Sequence, residues 1–426
     1  MHMEILLSTI FILGYVIITL EHSVKINKSA IALLTGVLLW SVYILSGHSE
    51  PAHVNSELLE HLGDISGILF FLMAAMTIVE LIDAHDGFEI ITSAISTRNK
   101  VKLIWLIGVL SFFLSAVLDN LTTTIVMISL ARKLIDDKED RLLFAGIIVI
   151  SANAGGAWSP IGDVTTTMLW IGGQITAGNI MMELFIPSLV CMIIPLFFFS
   201  LRLKGEFKPI QTDAHAKAVK TSRKEQTLVL YTGLLALIFV PIFKTYTHLP
   251  PFMGILFGLS ILWVIVELLH HKKEDEEKDA LSVVRALQRI DVPSVMFFLG
   301  ILVAISALQS TGMLKEVALW MDQKMGNLSL ISITIGLLSA IVDNVPLVAA
   351  GMGMYDLTTY PADSYLWEFI AYCAGTGGSI LIIGSAAGVA AMGMEKISFF
   401  WYVKKISFYA LIGYLAGAGI YMLMEG

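Results

Sequence analysis

The stretch Leu114–Met127, LSAVLDNLTTTIVM, decides how this chain is read. It sets an aspartate, an asparagine and three threonines in the middle of an apolar run. A charged carboxylate deep in a bilayer costs about 2.5 kcal/mol or more. That cost is incurred twice. Leu338–Ala350, LSAIVDNVPLVAA, repeats the pattern, and Asp343-Asn344 follows Asp119-Asn120 at an offset of 224. The same costly pattern used twice predicts two half-molecules meeting at one functional site.

Working outward, the whole chain has a membrane composition. Of 426 residues, 56% are hydrophobic and 15% charged, with mean hydropathy +0.80; soluble domains carry about 25% charged residues. Several nearly uncharged windows reach the roughly 18 residues that span a bilayer. The fold class expected is an all-α polytopic membrane protein with the lipid bilayer as its surroundings. A net charge of −8 does not point to nucleic acid, because the location of charge matters more than its sum. Cys191 and Cys373 lie in apolar segments without CxxC spacing and read as small buried hydrophobes, not as a disulfide or zinc framework. Met1–Leu20 lacks a basic start and a small-residue cleavage site, so it reads as a retained helix.

In order, spans are expected at about 4–20, 29–46 and 65–83, with an interfacial amphipathic piece over Phe88–Lys100. Two apolar arms, about 101–135, flank Asp119-Asn120. A broken segment, about 142–170, is interrupted by SANAGGAWSPIGD (Ser151–Asp163), and a further span follows to residue 201. Residues 202–227 read as a basic linker. The second half, 228–426, repeats the plan: spans at about 228–245, 251–269 and 291–310, with a charged piece at 270–290 between the last two. Arms over about 329–358, a broken span over about 365–394 and a last span at about 406–424 complete it. Three ordered matches carry the repeat. FFL at 70–72 answers 297–299, LSAVLDN answers LSAIVDN, and NAGGAWSPIGD (153–163) answers GTGGSILIIGS (375–385).

Charge then orients the halves. Seven Lys/Arg in Arg202–Gln226 (Arg202, Lys204, Lys208, Lys217, Lys220, Arg223, Lys224) place the linker inside. Gly47–Asp64, with four acids and no Lys or Arg, suits the outside. If each pair of arms is a re-entrant hairpin, each half crosses five times and the second half is inverted. Arg98, Lys100, Lys102, Arg132, Lys133, Arg141, Lys272, Lys273, Arg285, Arg289, Lys396, Lys404 and Lys405 then fall inside, with Lys315 and Lys324 as exceptions. The expectation is ten spans, two hairpins and both termini outside, periplasmic in a bacterial-type inner membrane.

Backbone at membrane depth leaves helix geometry only where protein or a water-filled cavity surrounds it. Asp119 and Asn120 at a hairpin tip, with Thr122, Thr123 and Thr124 in the next turn, offer oxygen ligands for a small hard cation. The plain alternative is that Asp119 caps its helix and the threonines bond back to their own backbone. In the broken segment, Pro160 removes a helical hydrogen bond, and Ser159, Asp163 and Thr165 sit beside freed carbonyls. The second half offers Ser379, Gly384 and Ser385, with Ser385 where Asp163 stands. The first half thus holds two carboxylates and the second only Asp343, beside Asn344. Glu80, about one turn deep at the inner end of the third span, is a candidate proton relay or pH sensor. Glu183, Glu267 and Glu368 read as span-end acids, and His85 as a solvated interfacial residue.

The tips LDNLTTT (118–124) and VDNVPL (342–347), with NAGGAWSPIGDVTTTMLW (153–170) and GTGGSILIIGSAAG (375–388), resemble the NhaD-type sodium/proton antiporters. That family belongs to the ion-transporter superfamily of arsenite pumps and divalent-anion/sodium symporters. The resemblance covers essentially the whole chain. It implies two inverted repeats of five transmembrane helices, each with a re-entrant hairpin and a broken helix, in a transport domain beside a scaffold, as a homodimer. It implies a secondary transporter, not an enzyme, with no cofactor, exchanging Na+ or Li+ for H+ by alternating access. Asp119, Asn120, Thr123, Asp163, Thr165, Asp343 and Asn344 would line the ion path, with Na+ or Li+ at Asp119 and Asp163. The superfamily's symporters have Ser-Asn-Thr tips; Asp at 119 and 343 brings titratable charge instead. Burial and a like charge nearby both favour a protonated carboxylate, so cation and proton would compete there. The rivals are an anion carrier for arsenite or a dicarboxylate, a pH-gated channel, and an intramembrane aspartyl protease, whose GxGD motif Ile161 breaks.

Overall fold

The computed structural model describes residues 2–47, 50–93, 95, 97–207, 221–271, 273 and 275–425. Among them the chain is helical throughout, with no strand. The main helices are α1 (His2–Thr19), α2 (Lys28–Leu45), α3 (Pro51–Ala84), α4 (Lys100–Leu118), α5 (Asn120–Leu134), α6 (Lys138–Ala157), α7 (Val164–Ile171) and α8 (Ala177–Arg202). After the linker come α9 (Arg223–Thr247), α10 (Pro251–His270), α11 (Val292–Ser310), α12 (Met313–Met325), α13 (Leu328–Ser339), α14 (Asn344–Met354), α15 (Tyr365–Gly377), α16 (Ala386–Glu395) and α17 (Phe408–Glu425).

Local chemistry sets most boundaries. Asn27, Asn99, Asp119, Asp137, Asp163, Asn327, Asp343 and Ser385 each cap a helix by accepting a backbone N–H. Ser222 and Glu225 form a reciprocal capping box at α9. Pro51 and Pro251 open α3 and α10, where a missing N–H costs nothing.

Nine helices among the described residues are long and apolar enough to cross a membrane. Val37, Leu45, Leu235, Val264 and Leu423 are exposed on them, as expected where the outer surroundings are lipid. This is an integral, multi-pass membrane protein. The nine differ in detail from the spans read in the sequence. The third span begins earlier, because Pro51–Ala84 is one continuous helix that absorbs most of the acidic Gly47–Asp64 segment. Lys100–Leu118, read as a hairpin arm, is itself long enough to cross, whereas the broken segment at 365–394 is split into α15 and α16. In the segment read as amphipathic over 88–100, the described residues form a short helix at Glu89–Thr92, and Lys100 opens α4. Lys315 and Lys324 are exposed on α12, which buries Leu314, Ala318 and Met321 along one face. Lys208, Lys217, Lys220 and Lys272 lie outside the described residues.

The two most enclosed elements are α6, buried almost continuously from Leu142 to Ala157, and α15, buried from Leu366 to Gly377. They are packed in the same way. Ser115 of α4 donates to the Ala152 carbonyl of α6 at 2.6 Å, and Ser339 of α13 donates to Ala374 of α15 at 2.7 Å. A Cβ on Gly155 would stand 2.1 Å from the Phe112 carbonyl oxygen, and one on Gly377 would stand 2.1 Å from that of Gly336. Only glycine permits either approach. Packing also runs across the halves: α2 lies against α11, α10 against α3, α5 against α16, and α14 against α7.

Candidate functional site

Asp163 is the point on which the two halves converge. It ends the break after α6 and caps α7. Its Oδ1 accepts the Thr165 N–H and the Thr165 hydroxyl, each at 2.8 Å. Its Oδ2 accepts the side-chain amide of Asn120, from the first tip. The amide of Asn344, from the second tip, reaches the same carboxylate at 3.2 Å to Oδ2 and 3.4 Å to Oδ1. Asp163 is 2% exposed, and every hydrogen-bond donor found on it is neutral.

The network continues through a residue the sequence reading did not single out. Asn120 also donates to Asn153 Oδ1 at 3.0 Å, and Asn153 donates to Ser385 Oγ at 2.9 Å. Ser385 caps α16 through the Gly388 N–H at 3.2 Å. Asn153 carries its own signal, as the one amide in the apolar run of α6.

The two tip aspartates turn away from this centre. Asp119 Oδ1 accepts the Thr122 N–H at 2.8 Å, and Oδ2 accepts the Thr122 hydroxyl at 2.9 Å. Asp343 accepts the Val345 N–H at 3.4 Å and the Lys28 ammonium at 3.2 Å. Asp119 and Asp163 share no hydrogen-bonding partner, but both border one small cavity of about 60 Å³, with Asn120, Thr122 and Thr167. The cation pair read from the sequence is therefore a shared cavity wall, not a joined dyad. Nor does Asp163 belong to the first tip alone, since Asn344 reaches it too.

The other candidates are placed as follows. Thr165 is bound to Asp163. Thr123 is fully buried, and its hydroxyl has no partner among the described residues. The Ser159 hydroxyl donates to the Ala116 carbonyl of α4 at 2.5 Å, and the Ser379 hydroxyl to the Thr376 carbonyl at the end of α15 at 2.6 Å; both hold backbone. Glu80 lines a second, larger cavity of about 850 Å³ and pairs with Arg289 at 3.5 Å. That cavity also borders Lys28, Asp83, Lys133 and Asp291, and it meets the small one at Met76, Leu121, Thr122, Ser294 and Ala386.

Two readings of acids and histidines change, and one acid is added. His85 is not solvated; it is fully buried, and its ring stacks on His270 at 5.0 Å. Glu368 is 1% exposed and accepts hydrogen bonds from Asn179 and from the Tyr421 hydroxyl, so it is more than a span-end acid. Glu395, which was not singled out, accepts Arg132 at 2.6 Å and Arg141 at 3.0 Å, tying α5 and α6 to α16. Cys191 and Cys373 are both buried and unpaired, as read.

A family model described as "Citrate transporter" matches residues 15–367. Sodium/proton antiporter 1 of Arabidopsis thaliana is 49% identical over 99% of this chain and 73% of its own length. Sodium/proton antiporter 2 of the same plant is 48% identical over 98% of this chain and 99% of its own. The Na+/H+ antiporter NhaD of Vibrio cholerae is 31% identical over 98% of this chain and 91% of its own. The chain therefore belongs to the NhaD-type sodium/proton antiporters of the ion-transporter superfamily, which are secondary transporters and not enzymes.

Proposed function

We propose that this protein exchanges Na+ or Li+ for H+ by alternating access, with Asp163 as the group for which cation and proton compete. The observation that carries the reading is the convergence of both tip asparagines on one buried carboxylate. A carboxylate buried among neutral donors keeps an uncompensated charge in a low-dielectric setting. Either a proton or a small cation supplies the missing charge; both together would overshoot it. Asp119, Thr122 and Thr167 border the same cavity as Asp163, and oxygen-bearing side chains suit a hard cation. Asp119 is a second acid there, Thr123 and Thr165 flank it, and Asn120 and Asn344 hold the carboxylate in place.

The matched contacts of Ser115 with Ser339, and of Gly155 with Gly377, support the reading as two repeats, 1–201 and 228–426, joined by the linker 202–227. In this reading α4–α5 and α13–α14 are re-entrant hairpins entering from opposite faces. The large cavity then opens on the linker face, where the basic residues gather, and both termini lie on the other. Its acids, Glu80 among them, gather cations at the mouth. Exchange follows when one bundle, carrying the two tips and the two breaks, moves against the other.

An anion carrier has one observation in its favour, the printed description of the matching family model. Against it, the amide donors at the centre are already engaged by Asp163, and Lys28 by Asp343. Cation-induced proton flux in everted vesicles, with Na+, Li+ and K+ from about pH 6 to about pH 9, tests the reading. We expect flux with Na+ or Li+. Absence of cation-linked flux at every pH, with uptake of labelled citrate, a dicarboxylate or arsenite instead, would overturn it.

A further inference from the structure

Asp119 and Asp343 stand at matching positions, yet their second carboxylate oxygens meet different partners. On Asp119 that partner is the hydroxyl of Thr122, three residues along the same helix. At the offset of 224 the counterpart of Thr122 is Pro346, which has neither a hydroxyl nor an N–H to give. The vacant role is filled from the other half of the molecule. Lys28, in the first turn of α2, brings its ammonium to 3.2 Å from Asp343 Oδ2. The same ammonium lies over the ring of Phe297, 4.3 Å from its centre, a favourable seat for a cation. The phenol of Tyr15 and the carboxylate of Asp163 also lie close enough to this carboxylate to feel its charge.

The charge count of the two halves then differs by design of the side chains. The first half sets two carboxylates, Asp119 and Asp163, on the small cavity, with no ammonium or guanidinium among the described residues of its walls. In the second half, Ser385 replaces Asp163 and the charge of Asp343 is met by Lys28. Lys28 also borders the large cavity, and its side chain is 26% exposed, so water and ions reach it.

The geometry points to Lys28 as a tethered cation that occupies the second tip, leaving one exchangeable Na+ site per chain. This rests on the sodium/proton reading above. In these terms Lys28 is a specificity-determining residue: it holds by covalent tether the place a second sodium would take. Removing it leaves Asp343 without its ammonium partner, as a new carboxylate for a small cation.

Equilibrium binding of radioactive sodium to the purified full-length protein tests this. The wild type is expected to bind one Na+ per chain, Lys28→Gln two, and the double variant Lys28→Gln/Asp343→Asn one. A Lys28→Gln protein that still binds one Na+ would overturn the proposal, and so would a double variant that binds two. If Lys28→Gln alone does not fold, adding Asp343→Asn should restore a folded protein, because loss of one partner leaves a partly buried charge unpaired; failure of that rescue also overturns the proposal. A wild type that binds no Na+ while Lys28→Gln binds one would sink the assignment of sodium to Asp163 and leave the role of Lys28 standing.

Discussion

At Asp119 the chain turns with φ 78° and ψ 161°, a region nearly reserved for glycine, whereas at Asp343 the same corner is made with φ −45° and ψ 136°. The first tip therefore holds strain, on the order of 1–3 kcal/mol, and two bonds from Thr122 hold its carboxylate there. The second tip is relaxed, its own cap is long at 3.4 Å, and a lysine from elsewhere completes it. The neighbouring asparagines, by contrast, behave alike, since both point an amide at Asp163. The duplicated letters thus separate into two roles. Asn120 and Asn344 keep a common task, and Asp119 and Asp343 have diverged.

The sharpest test of that asymmetry compares the matched positions Asp163 and Ser385. Asp163→Asn should reduce Na+/H+ exchange about 100-fold or more, the scale of losing a buried, multiply bonded charge. Ser385→Ala should cost about 5-fold or less, since only neutral bonds to Asn153 and Gly388 are lost. Comparable losses in vesicle exchange assays would erase the distinction between the halves.

Asn120→Ala and Asn344→Ala test the shared task. Each removes a donor to a charged group, about 1.5–3 kcal/mol, so each should weaken apparent Na+ affinity about 10-fold or more. Both donors favour the ionised form, so both losses should move the exchange profile toward higher pH. A large effect from one and none from the other would show that the tips do not share Asp163.

A smaller effect is expected at Thr122. Thr122→Val removes one hydroxyl bond, about 1 kcal/mol, and should lower exchange about 5-fold, with most of the structure unaltered by circular dichroism. Smallest of all is Glu80→Gln. Its pairing with Arg289 is long and half-exposed, worth roughly 0–1 kcal/mol. The change should about halve the rate at low salt and disappear at high salt, where screening removes the attraction.

Much of this was legible in the sequence, because it is local. The apolar windows, the Asp-Asn corners, the break around Pro160 and the matching offsets each depend on residues close in the chain. Even the unequal pair Asp163 and Ser385 could be read off by alignment of the halves. What was not legible depends on pairs that only folding brings together. Lys28 and Asp343 are 315 positions apart, Asn344 and Asp163 are 181 apart, and Arg132 and Glu395 are 263 apart. His85 looked interfacial because it follows an acidic helix end, and nothing local announced the His270 ring that covers it. Asp119 and Asp163 looked like a dyad because both are acids beside helix breaks, but Thr122 sits one turn away and engages Asp119 first.

The central claim is that sodium and a proton exclude one another at Asp163. Proton release from the purified protein on addition of Na+, followed in weakly buffered solution, tests it most directly. The wild type should release protons in proportion to the Na+ bound, and Asp163→Asn should release almost none while remaining folded. Release from Asp163→Asn equal to that of the wild type would place the competition elsewhere and contradict the account.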